Sequence, residues 1–302
     1  MWRTPRARDG QAALLAGVDR FVYQVDDAVA LRPDCVLITG PASQHVATAL
    51  PFAERGIPLF IEKPLSDSLD EADKLLAACE RGGVPPVVGY NLRFSRALQD
   101  VKRALADGII GRVLAVRAEV GQYLPDWRPD SDYRYGVSAR SELGGGALLE
   151  LSHELDYVRW LVGEVSSIGA QVGRLSDLEI DVEDVAEIVI RFRNGAIGNI
   201  HLDMVQRAPT RTCRLIGVDG TIVWDGIRQY AAVFSAATGK WADLCPADRG
   251  DRNEMYVAEI RHFLECVSGH AVPSVSGNDG RRVLEIALAA RQSSLEGRTV
   301  TL

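Results

Sequence analysis

Two short stretches of this chain hold side chains whose types and spacing could do chemistry. In the first, the apolar run Pro58-Leu59-Phe60-Ile61 stops at Glu62-Lys63-Pro64. A lysine at the tip of a buried strand can reach a ligand, and its pKa moves when it is desolvated. A solvated strand end with a surface ion pair is the plain alternative. In the second, residues 144–156 read Gly-Gly-Gly-Ala-Leu-Leu-Glu-Leu-Ser-His-Glu-Leu-Asp. On a continuous helix, Leu148, Leu151, Leu155, Val158 and Val162 form one apolar stripe, and Glu150, His153 and Tyr157 share another face. A carboxylate one turn from an imidazole can orient it and raise its pKa, as a general acid or base requires. Gly146 leads that face, where backbone can approach a ligand closely. An exposed polar face with an incidental histidine fits the same letters. No other His or Cys has ligand spacing, so no metal is expected.

Positioning such groups falls to the elements around them. The first part of the chain alternates apolar runs with amphipathic stretches. A short helix is expected over 10–17, strands over 20–24, 34–39, 58–63 and 84–90, and helices over 26–31, 43–55, 66–81 and 93–106. Asp26, Ser43 and Ser66 to Ser68 are the expected caps. Strands alternating with helices imply a parallel, doubly wound sheet, and ligands bind such sheets off the carboxyl ends of the strands. After Gly111 the strand-like runs lengthen: 112–120, 166–172, 186–192, 195–203, 211–217 and 221–224. Asn194-Gly195 and Asp219-Gly220 are hairpin signals, and this part reads as an antiparallel sheet. Helices over 146–162, 254–267 and 280–293, and an edge strand over 299–302, complete it. The fold class is α/β followed by α+β. Two domains, 1–94 and 95–302, are expected with a cleft between them.

Composition excludes several classes. The 302 residues carry a net charge of -7 with dispersed Lys and Arg, unlike a nucleic-acid footprint. No apolar run approaches a membrane span, and the basic start has no apolar core to make it a signal peptide. Five scattered cysteines argue against a disulfide frame and for a reducing cytoplasm.

Four segments in order carry a family resemblance. They are Thr39-Gly40-Pro41-Ala42-Ser43-Gln44-His45, Glu62-Lys63-Pro64, Gly89-Tyr90-Asn91-Leu92-Arg93-Phe94, and the Gly-rich stretch with His153 and Asp156. Together they resemble the Gfo/Idh/MocA family of nicotinamide-dependent oxidoreductases over residues 30–300. The resemblance implies a Rossmann-like domain and a domain with a large open sheet. It implies hydride transfer between NAD(P) and a hydroxyl or keto carbon of a sugar, sugar acid or polyol. Lys63 would sit beside the substrate hydroxyl and the nicotinamide, His153 would exchange the proton, and Glu150 would be the acid beside it. Thr39, Pro41, Ser43, His45, Glu62, Lys63, Pro64 and Asn91 would line the cofactor. His153 and Asp156 would face substrate. A homodimer or homotetramer through the open sheet is implied as well.

Two departures stand out. Many members carry an Asp four residues before the histidine, whereas this chain has Glu150 three before it. The family also opens with a strand and a G-x-G-x-x-G turn, which this sequence does not show; Met1-Trp2-Arg3 resembles the tail of the second strand. The expectation is a start upstream of Met1. The competing reading is a non-catalytic relative that has lost cofactor binding and serves as a structural or regulatory subunit. Arg3, with Arg6 and Arg8, occupies the region that meets the adenosine ribose, which leans the cofactor towards NADP.

Between the domains, before the Gly-rich stretch, lie Trp127, Arg128, Tyr133, Arg134 and Arg140. The aromatics suit stacking on a sugar ring and the arginines suit an anionic group. An acidic or nucleotide-linked sugar is therefore expected, against the alternative of an ordered surface loop with Arg–Asp pairs.

Overall fold

The computed structural model describes residues 17–247 and 253–302. The expected helix over 10–17 and Arg3, Arg6 and Arg8 lie outside them. Val22 forms a single bridge where a strand over 20–24 is expected. Helix α1 (Val25–Ala30) follows without a side-chain cap, so Asp26 lies in its first turn and does not cap it.

A small parallel sheet comes first. Strands β1 (Val36–Ile38), β2 (Leu59–Glu62) and β3 (Val87–Gly89) pair in the order β1-β2-β3. Helices α2 (His45–Ala53), α3 (Leu69–Gly82) and α4 (Arg96–Ala106) intervene and follow. Helix α3 is closed at both ends as its letters predict: the Ser68 hydroxyl accepts from Glu71 N–H, and Gly83 takes a left-handed φ of 68°. Ser43 instead falls inside a 3-10 turn, and α2 starts uncapped behind Gln44.

The second sheet has nine strands in the order β11-β10-β9-β8-β4-β7-β6-β5-β12. They are β4 (Val113–Gly121), β5 (Val165–Gly173), β6 (Val185–Phe192), β7 (Ile197–Asp203), β8 (Thr210–Gly217), β9 (Gly220–Asp225), β10 (Tyr230–Ser235), β11 (Lys240–Cys245) and β12 (Val300–Thr301). The sheet is mostly antiparallel, as expected, with β4 and β7 running parallel at its centre. Strand β6 alternates strictly: Ala186, Ile188, Ile190 and Phe192 are buried while Glu187, Val189 and Arg191 face out. Strands β10 and β11 were not expected. Their Ala-rich and Lys-Trp letters carry little strand signal; β10 is largely buried and packs with α4, whereas β11 is mostly exposed and follows β10 as its antiparallel partner.

The end of the chain ties the two sheets together. Helix α7 (Asn253–Val267) returns to the small sheet, where Phe263 packs edge-on against Phe60 at 5.7 Å. Helix α8 (Gly277–Glu296) opens with a Ser276–Asp279 capping box, three residues before the expected start. It packs on β5 of the large sheet and on β3 of the small one. A Cβ on Gly280 would meet Val88 Cγ2 at 2.9 Å, which is why a glycine stands at that crossing. One continuous apolar core runs through both sheets.

Candidate active site

The Gly-rich stretch is not one helix. It is α5 (Ala147–Glu150) and α6 (His153–Val162), separated at Leu151, whose φ of -100° and ψ of 25° leave the helical region. The apolar stripe is buried as expected. The shared polar face is not formed. Tyr157 is fully buried, 5.3 Å from the Trp224 ring, and Glu150 turns the other way. Gly146 also has another reason to be glycine. Its φ is +103°, and a Cβ there would meet the Glu183 carboxylate at 2.5 Å.

The break places Glu150 against the tip of β2. Lys63 Nζ donates to the Glu150 backbone carbonyl at 2.8 Å and lies 3.7 Å from its Oε1. Ser138 Oγ donates to the other oxygen of that carboxylate at 2.6 Å. The ammonium is thereby held by an element 87 residues away in sequence.

His153 opens α6 beside this pair. Its ring stands edge-on to Tyr90 at 5.5 Å, and Tyr90 in turn donates its buried hydroxyl to Ser152 Oγ at 3.3 Å. The Nδ1 atom is buried with no partner among the described residues, although the residue as a whole keeps some open surface. Burial, and then the Lys63 and Arg211 charges, hold its pKa well below the usual imidazole value. This corrects the expectation that Glu150 orients the ring and raises its pKa. No bond joins the two, and nearby cations dominate over the acid.

The carboxyl ends of the small sheet supply the rest. Glu62 Oε2 accepts from the Lys63 backbone N–H at 3.2 Å, and burial lifts its pKa despite the neighbouring ammonium. The Lys63–Pro64 peptide bond is cis. His45 is 1% exposed and sits between two carbonyls, Pro64 O at 2.9 Å from Nδ1 and Gly40 O at 2.8 Å from Nε2. Burial lowers its pKa, and a neutral ring can donate to only one of them. His45 is a strut that joins the Thr39–Gln44 loop to the Lys63–Pro64 turn. Thr39 is exposed, Pro41 and Ser43 are half-buried, and Asn91 is buried with an unpartnered Oδ1. The Ser43 backbone N would lie 3.2 Å from a Cβ on Gly144, so this loop touches the Gly-rich stretch directly.

Other expected residues are committed elsewhere. Both Asp156 oxygens accept from Arg93, at 2.9 and 2.6 Å, and the pair is buried. Asp156 therefore bonds the two parts of the chain together, with both oxygens engaged by Arg93 and the side chain buried. Arg134 pairs with Asp132 and Glu179. Arg140 Nε donates to Arg134 O at 2.6 Å, and the guanidinium lies 3.7 Å from Asp181. Trp127 Nε1 donates to Gln122 O at 3.1 Å, Tyr133 Oη accepts from Glu179 N–H at 3.2 Å, and Arg128 is exposed. None of these five is bonded to Glu62, Lys63, Glu150 or His153. Tyr133, Arg134 and Arg140 are linked to one another through Glu179 and the Arg134 carbonyl, and Arg140 approaches Asp181.

Sequence reasoning did not single out Ser138, Ser152 or the pair formed by Arg211 Nε and Glu154 Oε1 at 2.9 Å. Their roles depend on contacts across 12 to 62 positions, which no local spacing announces. Among the described residues no cluster of His, Cys, Asp and Glu could hold a metal ion.

Residues 3–90 match the model of the oxidoreductase family's NAD-binding Rossmann fold, and residues 102–302 match its C-terminal alpha/beta domain. The chain belongs to the Gfo/Idh/MocA family. It is 30% identical to myo-inositol 2-dehydrogenase of Thermotoga maritima, over 89% of this chain and 80% of that one. It is 29% identical to scyllo-inositol 2-dehydrogenase (NAD(+)) of Bacillus subtilis, over 98% and 86%. The fold matches the WlbA dehydrogenase of Bordetella pertussis in complex with NADH and UDP-GlcNAcA, with a TM-score of 0.81 and 25% identity over 97% and 86% of the chains. As a Gfo/Idh/MocA protein the chain is an NAD(P)-dependent oxidoreductase acting on CH–OH groups. Its parallel sheet is the Rossmann-like part and its nine-stranded sheet the large open one. Among the described residues no helix is long and apolar enough to cross a membrane.

Proposed function

We propose that Lys63 and His153 carry the proton and charge handling of a dehydrogenase for a sugar, sugar acid or polyol. The observation that carries this reading is their convergence. Lys63 is bonded to Glu150 three residues before His153, and the Lys63 charge acts on the His153 ring. Asn91 Oδ1 and His153 Nδ1 have no protein partner among the described residues, which fits a nicotinamide nucleotide at the strand tips. When bound, that group supplies or takes the hydride. Glu62, Asn91 and the Thr39–His45 loop would hold it, with the Glu62 carboxylate towards ribose hydroxyls.

In oxidation a neutral imidazole is needed to take the hydroxyl proton, and the low pKa of His153 keeps it neutral. In reduction the same ring, once charged, is a strong proton donor. Lys63 stabilises alkoxide charge on the reacting oxygen. Glu150 and Ser138 fix the ammonium and not the imidazole.

The relatives are dehydrogenases, which supports this reading over the non-catalytic one. We keep NADP as the preferred nucleotide on Arg3, Arg6 and Arg8, and an acidic or nucleotide-linked sugar as the substrate. The WlbA complex with a nucleotide sugar acid supports that substrate class. A homodimer or homotetramer through the open face of the nine-stranded sheet completes the proposal. Fluorescence titration with NADH and NADPH, then a screen of inositols, sugar acids and nucleotide sugars for nicotinamide reduction, tests it. Absence of nucleotide binding would defeat the enzymatic reading, and tighter binding of NADH would defeat the NADP preference.

A further inference from the structure

Helix α7 carries an acid that nothing above uses. Glu259 is 1% exposed, and its Oε1 has no hydrogen-bond partner among the described residues. A buried carboxylate without a cation or donors is costly, so its setting calls for an explanation.

Register locates it. Phe263 packs against Phe60 at 5.7 Å, and Glu259 lies one helical turn before Phe263 on the same face of α7. Glu62 lies two residues after Phe60, so it projects from the same face of β2. Its room there comes from Gly89 on β3, where a Cβ would stand 3.2 Å from Glu62 Oε2. Glu259 and Glu62 therefore project into the same space between α7 and β2, near the carboxyl end of the small sheet, where the Glu62 charge reaches Glu259.

The charges around Glu259 do not favour two anions. Glu62 on β2 and Asp156 on α6 both push its pKa up, after burial, to about 8. The cations nearby are committed. Lys63 is bonded to Glu150, and Arg93 to Asp156 and to Ser274 O. On α7 itself, His262 Nε2 accepts from Ser274 N–H at 2.9 Å. Buried, with Glu62 and Asp156 acting on it and no cation of its own, the Glu259 carboxyl keeps its proton more readily than an exposed one.

We propose that Glu259 is a positioning residue, holding its own proton beside Glu62 so that the strand tip bearing Lys63 carries a single negative charge towards the nucleotide. The inference rests on the proposed function, because its effect is read in nucleotide binding. At neutral pH the protonated Glu259 leaves Glu62 ionised and able to accept from a ribose hydroxyl. When the proton leaves, two anions face each other and the tip is displaced.

The test compares the full-length wild type with Glu259→Gln, which keeps a donor and cannot ionise, and with Glu259→Asp. Dissociation constants for NADH and NADPH are measured by fluorescence from pH 6 to 9.5, with difference infrared spectra of the free protein. We expect wild-type binding to weaken about tenfold across pH 8, one pKa unit of coupling being a factor of ten. Glu259→Gln is expected to bind evenly over that range, and Glu259→Asp to keep a pH dependence. The wild type is expected to show a protonated-carboxyl band at pH 7 that Glu259→Gln lacks. Identical pH profiles in wild type and Glu259→Gln, or no such band, would overturn the inference and leave the proposed function standing. No nucleotide binding by the wild type at any pH would overturn both.

Discussion

At the scale of single residues, the site is a contest between burial and nearby charge, and at His153 both push the same way. The imidazole pKa is lowered by burial, Lys63 and Arg211, so the neutral form persists as pH falls through the usual imidazole range. An acid limb in oxidation should therefore appear only below that range. Replacing Lys63 with Met removes one of the depressing charges, so the His153 titration, followed by NMR on a histidine-labelled chain, should move upward. A titration that stays in place would separate the two side chains. Lys63→Ala should reduce turnover by about two to four orders of magnitude, the range for losing a positioned proton or charge partner. Its stability should change by only about 1 kcal/mol, the scale of the single hydrogen bond to Glu150 O. A turnover near wild type, or a collapse in melting temperature, would contradict this.

Elements decide how those residues meet. Arg93 and Asp156 join the 3-10 turn after β3 to α6 through a buried bidentate pair, with Arg159 and Asp279 extending it to α8. Removing one partner of such a pair strands a buried charge, at a cost of about 3–5 kcal/mol. Arg93→Leu should destabilise by that amount in urea unfolding, and the double change Arg93→Leu with Asp156→Leu should recover part of it. Equal losses in the single and double variants would show that the network, and not the pair, is the unit. This scale also shows what local letters can reveal. Helix α3 was legible because Ser68 and Gly83 act within a turn of themselves. Strand β6 was legible because one face meets a core and the other does not. The interruption at Leu151 was not, since Leu151 belongs to the apolar stripe and the break coincides with the bond from Lys63 to Glu150 O, 87 residues apart in sequence. Lys63 and His153 were found by their motifs, but the partners of Asp156 and the place of Glu259 were set by chain segments that return from more than 60 residues away.

For the whole molecule, the large sheet presents one covered and one open face. Val189 is 59% exposed and Ile197 50%, diagonal neighbours on one face of β6 and β7, where Val189 pairs with Asn199 and Ile197 with Arg191. If this face joins copies of the chain, Val189→Glu should shift sedimentation towards the monomer, because a charge in the centre of an interface must be desolvated. An unchanged sedimentation profile would place the contact elsewhere.

Helix α8 has 20 residues, so it is about 30 Å long, and it bears on β5 of one sheet and β3 of the other. A rod seated on both sheets resists hinging, because swinging them apart would strip it from one of them. Opening for a ligand then falls to the loops at the strand tips.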